Sequence, residues 1–148
     1  MSDYPVWWDA TITIYNKYED AVTKKITWYR NTVSGCFLKT MGNKVTINDT
    51  VIETDNVLCR IREDARFLKK AEWLSKPNDE KGNFFTLSED DIIVYGEVQE
   101  DIDEYTSGQR SSDFIKKHKA LEGCMQVEAV ALNVGAGRVH PHYLVKGI

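Results

Sequence analysis

His140 and His142 flank Pro141, and two imidazoles one residue apart on an extended strand point to the same face, as pairs of metal ligands do. A metal centre needs further ligands. Cys124 and Glu128 are the sequence-local candidates, but no Cys-x-x-Cys or His-Glu-x-x-His spacing accompanies them. The competing expectation is a solvent-facing pair near a sheet edge, where Pro141 is tolerated. Cys36, Cys59 and Cys124 are an odd number of thiols at wide spacing with apolar neighbours, which predicts buried free thiols rather than disulfides. A thiol nucleophile would need His118, His140 or His142 within reach as its base, and sequence cannot make that pairing. Gly135-Ala136-Gly137-Arg138 lacks the third glycine and the following helix of a phosphate-binding loop, so it reads as a hairpin turn.

Carboxylates are the other source of chemistry. From Ser88 through Tyr105 there are eight acidic residues and no Lys or Arg. Neither Ser88-Glu89-Asp90-Asp91 nor Asp101-Ile102-Asp103-Glu104 has the alternation and glycine of a calcium loop, and nothing fixes the separation that glycosidic chemistry requires. Glu89-Asp90-Asp91 is therefore expected as a polar turn at a barrel rim. It feeds a buried strand with Ile92 and Val94 on one face and Ile93 and Tyr95 on the other. Asp101, Asp103 and Glu104 read as a solvated loop or as a docking surface for a basic partner. Trp7 and Trp8 are adjacent, so an extended chain points them opposite ways: either one ring covers a barrel end, or one is available to a partner.

The elements that must hold these residues are β-rich. Ile12 and Ile14 alternate with Thr11, Thr13 and Tyr15 as a strand, and residues 16–25 look like a long polar hairpin connection. Residues 24–40 are dense in β-branched and aromatic side chains, with Ser34-Gly35 as a bulge or bend. Residues 45–54 predict a tight hairpin around Asn48-Asp49, and residues 56–62 a further strand. Residues 64–83 fit one or two helical turns imperfectly before Pro77. The regular helix is expected at 111–122: Ser111 or Ser112 caps it, Asp113 lies in its first turn, Phe114, Ile115, His118 and Leu121 recur along one face, and Gly123 stops it. Residues 124–132 and 139–146 are two closing strands. The expected fold is mainly β, a small antiparallel β-barrel with one short inserted α-helix near 111–122 and long loops.

The chain has 148 residues, of which 42% are hydrophobic, 28% charged and 11% aromatic, and these values predict one domain over 1–148 with an N-terminal extension at 1–9. The formal charge of −4 argues against broad attraction to nucleic acid or anionic membrane. No apolar run approaches the ~18 residues of a membrane span, and residues 1–11 lack a signal-peptide pattern, so a cytoplasm is the expected location. No metal or other cofactor is expected.

The run Ile12-Thr13-Ile14-Tyr15-Asn16-Lys17-Tyr18, the element from Phe85 through Ile92-Ile93-Val94-Tyr95-Gly96 to Val98, and the closing Tyr143-Leu144-Val145-Lys146-Gly147 resemble an uncharacterised family of prophage-encoded structural proteins. More distantly, their order resembles the head-tail stopper, or head-completion and minor capsid, proteins of tailed phages. Two departures stand out: the turn lacks that family's glycine, and the helix at 111–122 is extra to its minimal barrel. The resemblance implies a non-enzymatic virion protein of the phage neck that is made in the host cytoplasm. It implies a ring of copies docked beneath the portal or an adaptor, with a tail protein below and packaged DNA nearby but not bound by sequence. An interface would then draw on Trp7, Trp8, Lys24, Lys25, Asp101, Asp103, Glu104 and Arg110. Acidic residues 97–104 would meet Lys24, Lys25, Lys69 or Lys70 of the next copy. Two other classes stay open on the residues alone. One is a small metal- or thiol-dependent enzyme; the other is a β-barrel nucleic-acid module in which Trp7, Trp8, Trp28 and Tyr29 stack on bases. An acidic mimic of DNA would want far fewer than 19 Lys and Arg against 23 Asp and Glu.

Overall fold

Alternation decides the first strand. In the computed structural model, which describes residues 6–47, 50–120, 124–133 and 142–148, β1 (Ala10–Glu19) buries Ile12 and Ile14 on one face and Thr13 and Tyr15 on the other. The strand outruns its apolar pattern. Asn16 to Glu19 stay in register with Tyr29 to Ile26 of β2 (Ile26–Ile47), so the loop expected at 16–25 shrinks to 20–25. Backbone pairing along a long partner overrides the polarity of Asn-Lys-Tyr-Glu. Asp20 closes the turn, its Oδ1 accepting from the backbone N–H groups of Val22 (2.8 Å) and Thr23 (2.9 Å).

The irregularity expected at Ser34-Gly35 is present. Ala10 faces Cys36 while Ile12 faces Val33, which leaves one extra residue on β2, and Gly35 takes φ 74°. A Cβ on Gly35 would also stand 2.8 Å from Arg62 Nε. β3 (Thr50–Arg62) is one continuous strand where the sequence suggested two. Ile47 and Thr50 pair across the expected turn, whose residues 48–49 lie outside the described ones. The seven pairs from Met41↔Asn56 to Ile47↔Thr50 have no third strand among the described residues, so the two strands leave the barrel as an arm.

β4 (Ile92–Tyr95), β5 (Cys124–Asn133) and β6 (His142–Gly147) complete the sheet. All pairings among the six strands are antiparallel, and they close as a barrel in the order β1-β2-β3-β6-β5-β4. The glycine-rich loop expected at 133–138 lies, apart from Asn133, outside the described residues. At the β5–β6 seam Gln126 and Ile148 exchange two backbone hydrogen bonds (2.9 and 3.1 Å). A Cβ on Gly147 would sit 2.2 Å from the Gln126 carbonyl oxygen, so only glycine fits there.

The core has two layers. Ile12, Ile14, Cys36, Cys59, Ile61, Ile93, Met125 and Val145 fill the barrel. Outside it, Tyr15, Ile92 and Val94 are covered by Ile102 and by Phe114 of α2 (Ser111–Ala120). β4 is thus buried on both faces, which explains its unbroken Ile-Ile-Val run, and each such side chain contributes about 1.5–3 kcal/mol by burial. The helical turns expected before Pro77 form a second short helix, α1 (Lys70–Ser75). Fully buried Trp73 organises it, its ring edge-on to Tyr29 (5.6 Å) and Tyr18 (6.3 Å) and its Nε1 donating to the Lys81 carbonyl (3.2 Å).

Candidate interaction surfaces

The acidic turn before β4 is not uniform. Glu89 and Asp90 are exposed, and Asp90 takes φ 75°, which makes the bend. Asp91 is fully buried, against the expectation of a rim carboxylate. Its Oδ1 accepts from Lys17 N (3.0 Å); its Oδ2 accepts from Ser88 N (2.9 Å), Ser88 Oγ (3.0 Å) and Asn16 Nδ2 (3.0 Å). Asn16 also pairs with the Thr86 backbone as a strand would, donating to its carbonyl (2.7 Å) and accepting from its N–H (3.2 Å). Burial raises the Asp91 carboxyl above the ordinary range, although the Lys17 N–H, the Lys70 charge, Ser88 and Asn16 all favour its charged form. This carboxylate ties residues 86–91 to β1.

The second acidic stretch runs as a strap over the outer face of β1 and β4. Thr13 Oγ1 donates to the Gly96 carbonyl (2.7 Å) and accepts from Val98 N (2.9 Å), and Tyr15 Oη donates to the Glu100 carbonyl (2.5 Å). Arg30 donates to Asp101 Oδ1 (2.8 Å) and to the Gln99 carbonyl. Glu104 turns inward, its Oε1 accepting from Trp28 Nε1 (3.2 Å) and from the first backbone N–H of α2, at Ser111 (2.7 Å). The serines expected to cap α2 give way to this glutamate, which answers both an unpaired helix N–H and the helix dipole. Burial works against its charge, yet the bonds from Ser111 and Trp28 prevail and hold its carboxyl below the ordinary value. Glu100 is lowered chiefly by its bond from Lys117 Nζ (2.9 Å), and its Oε1 also lies 3.6 Å from His118 Nε2. Asp103 is lowered by the N–H of Tyr105 and the hydroxyl of Thr106, with Lys25 adding to both.

The predicted interface residues therefore fall into separate places. Lys24 sits at the β1–β2 turn and Lys25 beside Asp103 of the same chain. Lys69 precedes α1, Lys70 Nζ lies 4.9 Å from the Trp73 ring, and exposed Arg110 offers its carbonyl to Phe114 N (2.9 Å). Asp101 keeps 81% of its side chain exposed.

The two tryptophan rings part company, as adjacent positions on an extended chain predict. Trp7 is 64% exposed, whereas Trp8 is buried, its ring stacked with Phe37 (6.4 Å) and edge-on to His142 (5.5 Å), and its carbonyl accepts from Arg62 Nη2 (3.0 Å). Buried His142 corrects the expectation of a solvent-facing pair; His140 lies outside the described residues. Among the described residues no group of three His, Cys, Asp or Glu is placed to hold a metal ion. Cys36 and Cys59 are buried free thiols, and the neighbouring Cys36 thiol together with burial pushes the Cys59 thiol well up, the opposite of what a nucleophile needs. Cys124 is a half-buried free thiol packed against the outer layer.

The Ser88-x-x-Asp91 spacing was the available signal for the buried carboxylate, because an acid three residues after a serine can reach back to its N–H. Nothing local announced Glu104, whose partners lie 76 and 7 residues away.

A family model described as "Family of unknown function (DUF6751)" matches residues 7–148, so the chain belongs to that family. No curated protein and no solved structure matches it.

Proposed function

We propose that this DUF6751 chain is a non-enzymatic structural subunit of a tailed phage or prophage. In this reading it is a head–tail connector of the neck, docked on a portal or adaptor ring and presenting a platform to the tail. The observation that supports it is the closed small barrel: the three segments that carry the resemblance to head-tail stopper proteins form β1, the β4 region and β6 of one antiparallel ring. The β2–β3 arm adds a projection that suits contact with a neighbouring subunit. Glu100, Asp101, Asp103 and Glu104 each accept a hydrogen bond that fastens the strap to the barrel or within itself, which suits a scaffold better than a reacting centre.

The test is genetic and microscopic. Disrupting the gene in an inducible prophage is expected to leave DNA-filled heads without attached tails, and mass spectrometry of purified virions is expected to find the protein. Normal tailed particles that lack the protein would sink this reading.

A further inference from the structure

Opposite walls of the barrel differ in charge. In the ring order β1 lies across from β6, and β4 across from β3. The β1–β4 wall carries the acidic strap, with Glu97 and Asp101 exposed. Facing the other way, the β3–β6 wall has a composition fixed by register. Cys59, Ile61 and Val145 point into the core, so Leu58, Arg60, Leu144 and Lys146 point out. One outward row runs Lys39–Leu58–Lys146 across three strands, and the next runs Phe37–Arg60–Leu144, with the Trp8 ring already stacked on Phe37 at its end. Lys39 and Lys146 are exposed and Arg60 is half-buried. Residues 57–62 and 142–147 contain no Asp or Glu. Aliphatic and aromatic side chains set among Arg and Lys, without acids, are the mixture found in the centres of protein interfaces.

We propose that this β3–β6 wall docks onto the acidic strap of a second copy of the chain, so that copies associate head to tail. Complementary patches on opposite sides of one barrel make a heterologous contact, which repeats from copy to copy. Only the closure of that series into a ring rests on the neck reading above. Lys25 belongs to the strap's own side, since the adjacent Ile26 N donates to Tyr105 Oη (2.8 Å). A nucleic acid is a poorer occupant, because the chain as a whole carries −4 and its strap would repel a long polyanion.

The experiment is sedimentation velocity of the full chain at low and high salt, with thermal melts confirming that each variant folds. Wild type is expected to self-associate at low salt and to dissociate as salt screens the contact. Lys39→Glu with Lys146→Glu, or Glu97→Lys with Asp101→Lys, should each weaken association roughly tenfold or more. An equimolar mixture of the two double variants should recover it. A wild type that stays monomeric at low salt over a wide concentration range overturns the proposal, as does association unchanged by both reversals. DNA binding lost in K39E/K146E while self-association persists would also overturn it, assigning the wall to nucleic acid. Rings seen by electron microscopy that survive both reversals discard this interface and leave the neck reading standing. Salt-sensitive head-to-tail association of a protein absent from virions does the reverse.

Discussion

Asp91 and Glu104 belong to the same acid-rich run of sequence, yet one lies beneath the sheet edge and the other stands over it. Asp91 is enclosed, and desolvation raises its carboxyl despite four hydrogen bonds. Glu104 is only partly enclosed, and two donors suffice to lower its carboxyl. Depth therefore decides whether a bonded carboxylate opposes its own charge. The buried one joins residues 86–91 to β1 alongside the Asn16–Thr86 pair; the shallower ones fasten a cover that is also packed by Ile102 and Phe114.

The contrast can be broken most directly at Asp91. Asp91→Ala leaves the N–H groups of Lys17 and Ser88 without their acceptor in a buried site, and chemical denaturation should register a loss of about 3–5 kcal/mol. A loss below about 1 kcal/mol would mean that the turn is held by its backbone alone. Glu104→Ala should cost less, about 1–2 kcal/mol, as an N-terminal cap does. Trp28 fluorescence should shift to the red as its indole N–H meets water, a change that Asp91→Ala need not produce.

Acidity should sharpen the same contrast. Glu100, Asp103 and Glu104 have lowered carboxyls, so the stability they contribute is present above the ordinary carboxylate range of about 4 and is lost as pH falls through their folded values. Asp91 has the opposite sign. Its raised carboxyl binds a proton more readily in the folded state, so its contribution falls as pH rises from the ordinary value through the raised one. Melting temperatures of Asp91→Asn measured from about pH 3 to 7 should therefore fall more steeply with acid than those of wild type. Parallel curves would remove the distinction. The smallest effect belongs to Asp101→Asn, where an exposed pair with Arg30 is worth roughly 0.2–1 kcal/mol and should vanish in high salt.

Much of the barrel was legible because period-two alternation survives wherever one face meets the core. Ile12 and Ile14, the Ser34-Gly35 bulge and the Ile92–Val94 run fall where their patterns put them, whereas Tyr95, expected in the same buried strand, is exposed. The extent of β1 was hidden, because Asn16 to Glu19 are polar and their strand state comes from β2. The surfaces were harder still. Lys24 and Lys25 resemble Lys39 and Lys146 in sequence, and only ring order and register separate the strap's side from the opposite wall. His142 looked like an edge residue because its covering ring, Trp8, is 134 positions away.

The ring order also governs how the chain can assemble as it is made. β3 leaves the ribosome with β2 already beside it, but its other edge waits for β6, some 80 residues later. Until then the strand bearing Leu58 and Arg60 is an open template, and β1 stands equally open toward β4. A nascent chain of this topology completes no barrel before its sixth strand emerges. Lys39, Arg60 and Arg62 beside the β3 edge then serve a second purpose, discouraging two half-made copies from pairing edge to edge.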